Sequence, residues 1–435
     1  MPRTSEFVGR YRWLICLLLF FGTSINYIDR QILSLLKPIL DEQLKWTNEQ
    51  YGSVNAAFQG SYALGLLLFG PFIDRYGTKI GYAVSITAWS LAALGHGFVG
   101  SVSGFFRARV LLGVSEGGNF PSAIKAVALW FPKSERALAT ALFNSGANVG
   151  AILAPAIVPF VAATWGWQSA FVLAGAAGLL FLLLWWPFYD VPEKARRLSG
   201  PELSHIRADI DEPSQSNEQA RGGVATWLSL LRHRQAWSFI VCKLLTDPVW
   251  WFFLIWLPDY FKKTRGLDLK ASWLHLVSIY SIVTVLSIVG GWLTGYLTKK
   301  GLTPTQARKT AMFAFAQCVL PILFVTKAGD WMAVVLIGVA GAAHQAWSAN
   351  LFTTVSDMFP KRAVASVVGI GGMAGSLGGI AFPILAGKLL DHFQAAGDIT
   401  AGYSILFGFC GFAYLLAFGI SHALAPKFAQ VTEAI

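Results

Sequence analysis

Charge is scarce in this chain: Asp, Glu, Lys and Arg make up 13% of 435 residues, about half the share usual in a soluble domain. Hydrophobic residues make up 55%, more than a soluble fold of this charge content would bury. Only four cysteines occur, Cys16, Cys242, Cys318 and Cys410, each alone inside an apolar run. That spacing excludes a disulfide framework and a cysteine metal site. Long polar segments are also missing, the one exception being Asp190 to Arg234. Strict apolar-polar alternation, the mark of a membrane β-barrel, is absent. What remains is a set of twelve apolar runs, beginning near Leu14, Gly52, Ile80, Phe105, Ala137, Ser169, Ala236, Leu274, Thr310, Trp331, Val364 and Tyr403. Each is about 20 residues long, as a helical crossing of a bilayer requires. The first run continues past its apolar centre without a small-residue cleavage site, so it is expected to be a retained helix. These features predict an all-α integral membrane protein.

The formal charge of +11 invites a nucleic-acid reading, but the Lys and Arg residues sit in short segments between apolar runs. There they report topology. Arg3, Arg10, Arg12, Arg75, Lys79, Lys133, Lys299, Lys300, Arg308, Lys309, Lys361 and Arg362 fall on one side, which predicts a multi-pass protein of the cell inner (plasma) membrane with both termini cytoplasmic. Lys262, Lys263, Arg265 and Lys270 fall on the opposite side and run against the rule.

The polar stretch divides the chain into residues 1–189, a linker over 190–235, and residues 236–435, with six runs on either side. Two echoes relate the halves. Gly70-Pro71-Phe72-Ile73-Asp74-Arg75-Tyr76-Gly77 is matched by Gly291-Trp292-Leu293-Thr294-Gly295-Tyr296, and Trp130-Phe131-Pro132-Lys133 by Met358-Phe359-Pro360-Lys361. Such duplication predicts two pseudo-symmetric six-helix bundles, an architecture in which one half rocks against the other.

Asn26-Tyr27-Ile28-Asp29-Arg30 places an acid and a guanidinium inside the first run, where a lone charge costs roughly 2.5 to 3.5 kcal/mol. In the fourth run Arg109 and Glu116 stand seven residues apart, on one helix face. Counting about 1.5 Å per residue puts Asp29 and Arg109 at one depth and Glu116 near the midplane. Asp29, Arg109 and Glu116 are therefore proton-coupling candidates, the alternative being a static bridge between Asp29 and Arg109 with Glu116 bonded to a neighbouring helix. Arg30 points about 100° away from Asp29 and is expected to be free for a carboxylate. Asn26 and Tyr62 offer hydrogen bonds to sugar hydroxyls, although Tyr62 would serve equally as a packed aromatic. In the tenth run His344, Gln345, Trp347, Ser348 and Asn350 fall within two turns, and His344, Trp347 and Ser348 share a face suited to a polyhydroxylated ring. Asp247 lies one turn after Lys243, so it is either a hydroxyl acceptor or half of a structural pair.

The segment Gly70 to Lys79 resembles the loop signature of the major facilitator superfamily, with Gly295 standing where the second copy would carry its acid. Asn26 to Arg30, Arg109 to Pro121 and His344 to Asn350 together resemble the anion:cation symporters, most of all bacterial hexuronate transporters. The resemblance covers nearly the whole chain. It implies proton-coupled import of a sugar acid such as glucuronate or galacturonate by alternating access, and it supports a ligand role for Tyr62. No cofactor is expected beyond the proton as coupling ion. Expected partners are the sugar-acid anion, protons and lipid, with no nucleic acid, and the protein is expected to be monomeric. An inner gate is expected at Asp74, Arg75 and Arg136.

Two motifs mislead. Gly113-Val114-Ser115-Glu116-Gly117 fits the serine-hydrolase pattern but has no preceding strand. Gly369-Ile370-Gly371-Gly372-Met373-Ala374 resembles a dinucleotide loop, yet Gly371, Gly375 and Gly379 repeat every four residues, as close helix packing requires. With no metal cluster and no catalytic motif in context, an enzyme is not expected, nor a sensor without an appended soluble domain. Exchange of another organic anion, including a phosphate ester, is the transport alternative.

Overall fold

A computed structural model of the chain describes residues 9–207, 230–359, 361–429 and 431, apart from the side chains of 74, 133, 134, 136–138, 288–291, 356 and 361–366. The described residues are helical, with no strand. In chain order the helices are α1 Tyr11–Leu44, α2 Asn48–Tyr76, α3 Thr78–His96, α4 Val102–Glu116, α5 Asn119–Trp130, α6 Lys133–Trp165, α7 Trp167–Phe188, α8 Gly200–Arg207, α9 Arg234–Arg265, α10 Leu269–Lys299, α11 Pro304–Val319, α12 Asp330–Met358, α13 Lys361–Ala395 and α14 Ile399–Leu424. Ten of the described helical segments are long and apolar enough to cross a membrane. The two other expected runs meet α3, whose 19 residues carry Lys79 and His96 near its ends, and a helix broken into α4 and α5 at Gly117-Gly118.

Helix starts follow local chemistry. Ser101 accepts from the Gly104 amide before α4, Asp268 from Ala271 before α10, and Asp398 from Ala401 before α14. Thr303 and Gln306 form a reciprocal capping box with Pro304 at the first position of α11. Each cap satisfies amides that have no partner within the helix.

The chain divides into two compact units, Met1–Leu36 with Ala57–Ser216, and Lys37–Ala56 with Asn217–Ile435. The corner between α1 and α2 thus packs with the C-terminal helices. An aromatic core fills the first unit, where Trp185 stacks on Tyr189 at 4.0 Å and meets Tyr82 edge-on at 4.7 Å.

The linker is not wholly detached. Its helix α8 folds onto the first unit, where Glu202, 1% exposed, accepts from the backbone amides of Tyr11 and Arg12 and from the Arg12 guanidinium. A carboxylate there satisfies orphan amides and complements the dipole of α1. Arg12 also grips Glu135 through two bonds of 2.8 and 3.1 Å, and His205 approaches the same carboxylate at 3.0 Å. Hydrogen bonding from Arg12 holds the Glu135 carboxyl below its ordinary range. A carboxyl depressed in the folded state contributes stability that is present above its unfolded value, about 4.3, and is lost as pH falls through the folded one. Thermal stability in detergent is therefore expected to fall below about pH 4.3 in the parent, and Glu135→Gln to lack that acid-side component.

Candidate functional site

In the first unit the site is built where α4 meets α2 with almost no side chain between them. A Cβ on Gly113 would come 2.5 Å from the Phe58 carbonyl oxygen, and one on Gly117 would come 2.4 Å from the Gly65 carbonyl carbon. The Gly113 to Gly117 spacing is a helix-packing device, not a nucleophile elbow. It brings Glu116, the last residue of α4, against α1.

There the structure corrects the expected pairing. Arg30 is not free: its Nε donates to Glu116 Oε2 at 2.6 Å, with the Glu116 side chain fully buried and that of Arg30 8% exposed. The guanidinium carbon lies 4.5 Å from the ring centre of Tyr62, 4.9 Å from Tyr27 and 5.4 Å from Phe58. Tyr62 and Phe58, one turn apart on α2, stack nearly parallel. Arg109 donates from a terminal nitrogen to the Arg30 carbonyl at 3.3 Å and also faces the Phe58 ring. Asp29 forms no hydrogen bond at either carboxylate oxygen, although the charges of Glu116, Arg109 and Arg30 all act on it. Asn26 approaches Glu116 without completing a bond, and Glu116 Oε1 is likewise unpartnered. Arg109 does lie beside Asp29, through its bond to the carbonyl of the next residue, but the ion pair is made by Arg30 and Glu116.

The result is a guanidinium held over three aromatic faces and locked by one carboxylate, next to a second carboxylate with unfilled hydrogen-bonding capacity. Buried polar atoms rarely go without partners, so Asn26, Asp29 and Glu116 form a concentrated exception. Tyr27 and Phe58 were not singled out by sequence reasoning. The spacing of Phe58 and Tyr62 by four residues was the available signal.

The second unit scatters its candidates. Lys243 binds Asp247 at 2.7 Å, the structural pair left open by the sequence. Asp247 sits against Gly375, whose Cβ would fall 2.1 Å from the carboxylate, so α13 packs closely on α9 here; its glycine motif is therefore a packing face and not a dinucleotide loop. His344 Nδ1 lies 2.6 Å from the Tyr414 hydroxyl, and its ring stacks on Trp250 at 5.5 Å with a 5° tilt. Trp347 is fully buried edge-on against Tyr414. Asn350 donates to the Ala346 carbonyl and accepts from Thr294 at 2.6 Å, turning toward α10. His344, Trp347 and Ser348 therefore do not make one wall, because His344 and Trp347 are drawn into the packing around Tyr414. Gln345 and Ser348 are half-buried on α12.

At the predicted inner gate, the side chains of Asp74 and Arg136 lie outside the described residues. Arg75 is exposed, with its guanidinium 5.5 Å from the neighbouring Tyr76 ring. The segment expected to be a loop around Arg136 is the first turn of α6.

A buried cluster in the second unit went unread in the sequence. Lys37 donates to Asp41 at 2.7 Å, Asp259 at 2.9 Å and Asn48 at 3.0 Å, three acceptors for three protons. Asp259 also accepts from the Tyr403 hydroxyl, and both Lys37 and Asp259 have no exposed surface. Lys263 lies 3.5 Å from Asp259 and 3.6 Å from Asp41, and Arg265 binds Asp330 at 2.7 Å. Two of the four cations that ran against the topology rule, Lys263 and Arg265, are thus neutralised locally.

Long apolar helices carrying buried ion pairs and, at Asp29, a buried acid without a hydrogen bond are the construction of a membrane transporter. A sequence profile of the Major Facilitator Superfamily matches residues 19–383, and the chain belongs to that superfamily. It is a transporter and not an enzyme. The chain is similar to the hexuronate transporter of Escherichia coli strain K12, 29% identical over 402 residues that cover 91% of this chain and 90% of the relative. It is also similar to the galacturonate transporter of Dickeya chrysanthemi, 33% identical over 259 residues covering 60% and 74%. Among solved structures, the inward-facing, unoccupied form of a bacterial homologue of the human lysosomal transporter Spinster matches with a TM-score of 0.78. That match spans 98% of this chain and 100% of the other at 16% identity, a likeness of fold alone.

Proposed function

We propose that this protein imports a hexuronate, glucuronate or galacturonate, together with protons, by alternating access of its two six-helix halves. It acts as a monomer in the cell inner membrane with both termini cytoplasmic. The observation that carries the reading is the Arg30–Glu116 pair beside the unpartnered carboxylate of Asp29. The similarity to named sugar-acid transporters supports the substrate class.

In this scheme Glu116 competes with substrate for Arg30. Protonation of Glu116 releases the guanidinium, which then binds the sugar carboxylate in two-pronged fashion while Tyr62 and Asn26 meet ring hydroxyls. Asp29 is the second protonatable group, with Arg109 tuning it. In the other half His344, Gln345, Trp347, Asn350 and Asp247 supply or brace polar contacts to the sugar, and Asp74, Arg75 and Arg136 close the cytoplasmic side.

The test is uptake of radiolabelled glucuronate into proteoliposomes under an imposed pH gradient, with galacturonate, gluconate and glycerol phosphate as competitors. Uptake indifferent to the gradient would remove symport, and competition by the phosphate ester alone would replace the substrate class. Arg30→Lys keeps the charge but loses the planar fork, so hexuronate affinity measured by calorimetry is expected to fall at least about tenfold.

A further inference from the structure

Two crevices in the second unit lie end to end in one furrow between α10, α11 and α12. The first, about 240 Å³, is lined by apolar and small groups, including Leu286, Leu293, Phe315, Cys318, Ala342 and Ala346. The second, about 640 Å³, begins where the first stops and is lined by Thr294, Thr298, Lys299, Arg308, Asn350 and Thr353. Their continuity follows from helical register. Ala342, Ala346, Asn350 and Thr353 recur every three to four residues along one face of α12. Phe315 and Arg308 on α11 are two turns apart.

From Ala342 to Thr353 the furrow runs about 17 Å at 1.5 Å per residue, comparable to the hydrocarbon depth of one leaflet, about 15 Å. Its apolar end would fit an acyl chain. Its polar end carries a cationic excess. Arg308 is partly spent on Asp357 and Thr353, whereas Lys299 makes no ion pair among the described residues. Lys300, just after α10, lies over the Tyr296 ring, and Lys309 is turned away to the Ala425 carbonyl and His422. An exposed apolar surface is ordinary for a membrane protein. A concave apolar slot closing on hydroxyls, one paired guanidinium and the unneutralised Lys299 matches a phospholipid with a net negative headgroup.

We propose that this furrow is a binding site for one anionic phospholipid, its headgroup phosphate held by Lys299, Arg308, Thr298 and Thr353, and one tail seated against Leu293, Phe315 and Ala346. The four headgroup residues are not among those proposed to meet the sugar, although Asn350, which is, borders the same polar crevice. The lipid would tie α10, α11 and α12 together at the end of the bundle nearest their basic connection.

Native mass spectrometry of the full chain, exchanged from detergent with equal amounts of phosphatidylglycerol and phosphatidylcholine of identical tails, tests this directly. The parent is expected to retain one phosphatidylglycerol at several-fold higher occupancy. Lys299→Gln with Arg308→Gln is expected to abolish the preference. Since that variant also removes the Arg308 bond to Asp357, a second perturbation leaves the fold's own residues intact. Cys318 is the exposed cysteine among otherwise buried ones, so a bulky maleimide on it would block the tail slot, and Cys318→Ser would be indifferent to the reagent. Equal retention of both lipids by the parent, or a preference that survives both the charge variant and alkylation, would overturn the proposal.

Discussion

Glu116→Gln is expected to bind hexuronate as well as the parent or better, and to lose accumulation driven by a pH gradient. The side chain that locks Arg30 at 2.6 Å is a carboxylate, and an amide of the same shape imitates its protonated form. Without the opposing charge, Arg30 is more available to the incoming anion. Coupling, however, requires that proton and anion each alter the other's binding. One pH unit supplies about 1.4 kcal/mol per proton, about tenfold in concentration. The parent should therefore concentrate substrate about tenfold per unit and per proton, while the variant should equilibrate it at about onefold and retain counterflow exchange. If Glu116→Gln accumulated substrate like the parent, Glu116 would be a structural partner of Arg30. Asp29 would then become the leading proton carrier, ahead of His344, which is engaged with Tyr414.

The second large effect concerns Lys37. Its ammonium group is surrounded by Asp41, Asn48 and Asp259, and removing it leaves the fully buried Asp259 facing only Tyr403 and the more distant Lys263. Breaking a buried pair from one side costs about 3 to 5 kcal/mol, whereas replacing both members with apolar groups is often neutral. Lys37→Met is thus expected to lower the unfolding temperature in detergent by several degrees and to reduce the folded yield. Lys37→Met with Asp259→Leu should recover most of the loss. A single variant as stable as the parent, by thermal denaturation followed on tryptophan fluorescence, would show that the cluster does not hold the α1–α2 corner against α9 and α14.

The amino-acid sequence by itself determined the class of this protein. Scarcity of charge and runs of about 20 apolar residues leave helices in a membrane as the way to satisfy the backbone. Duplicated loop signatures identified the superfamily, and the intramembrane acids and guanidinia pointed to the functional helices because charge is costly there. Those signals are local or periodic. Which charge pairs with which was decided by tertiary structure. Arg30 chose Glu116 over the carboxylates nearer in sequence because Gly113 and Gly117 let α4 close on α2, a distance that no periodicity encodes. His344 and Trp347 turned to Tyr414, seventy or so positions away, and Lys37 found Asp259 across 222 residues. A side chain's partner depends on helix crossing and rotation about the helix axis, and the sequence fixes these only through the sum of all contacts in the fold.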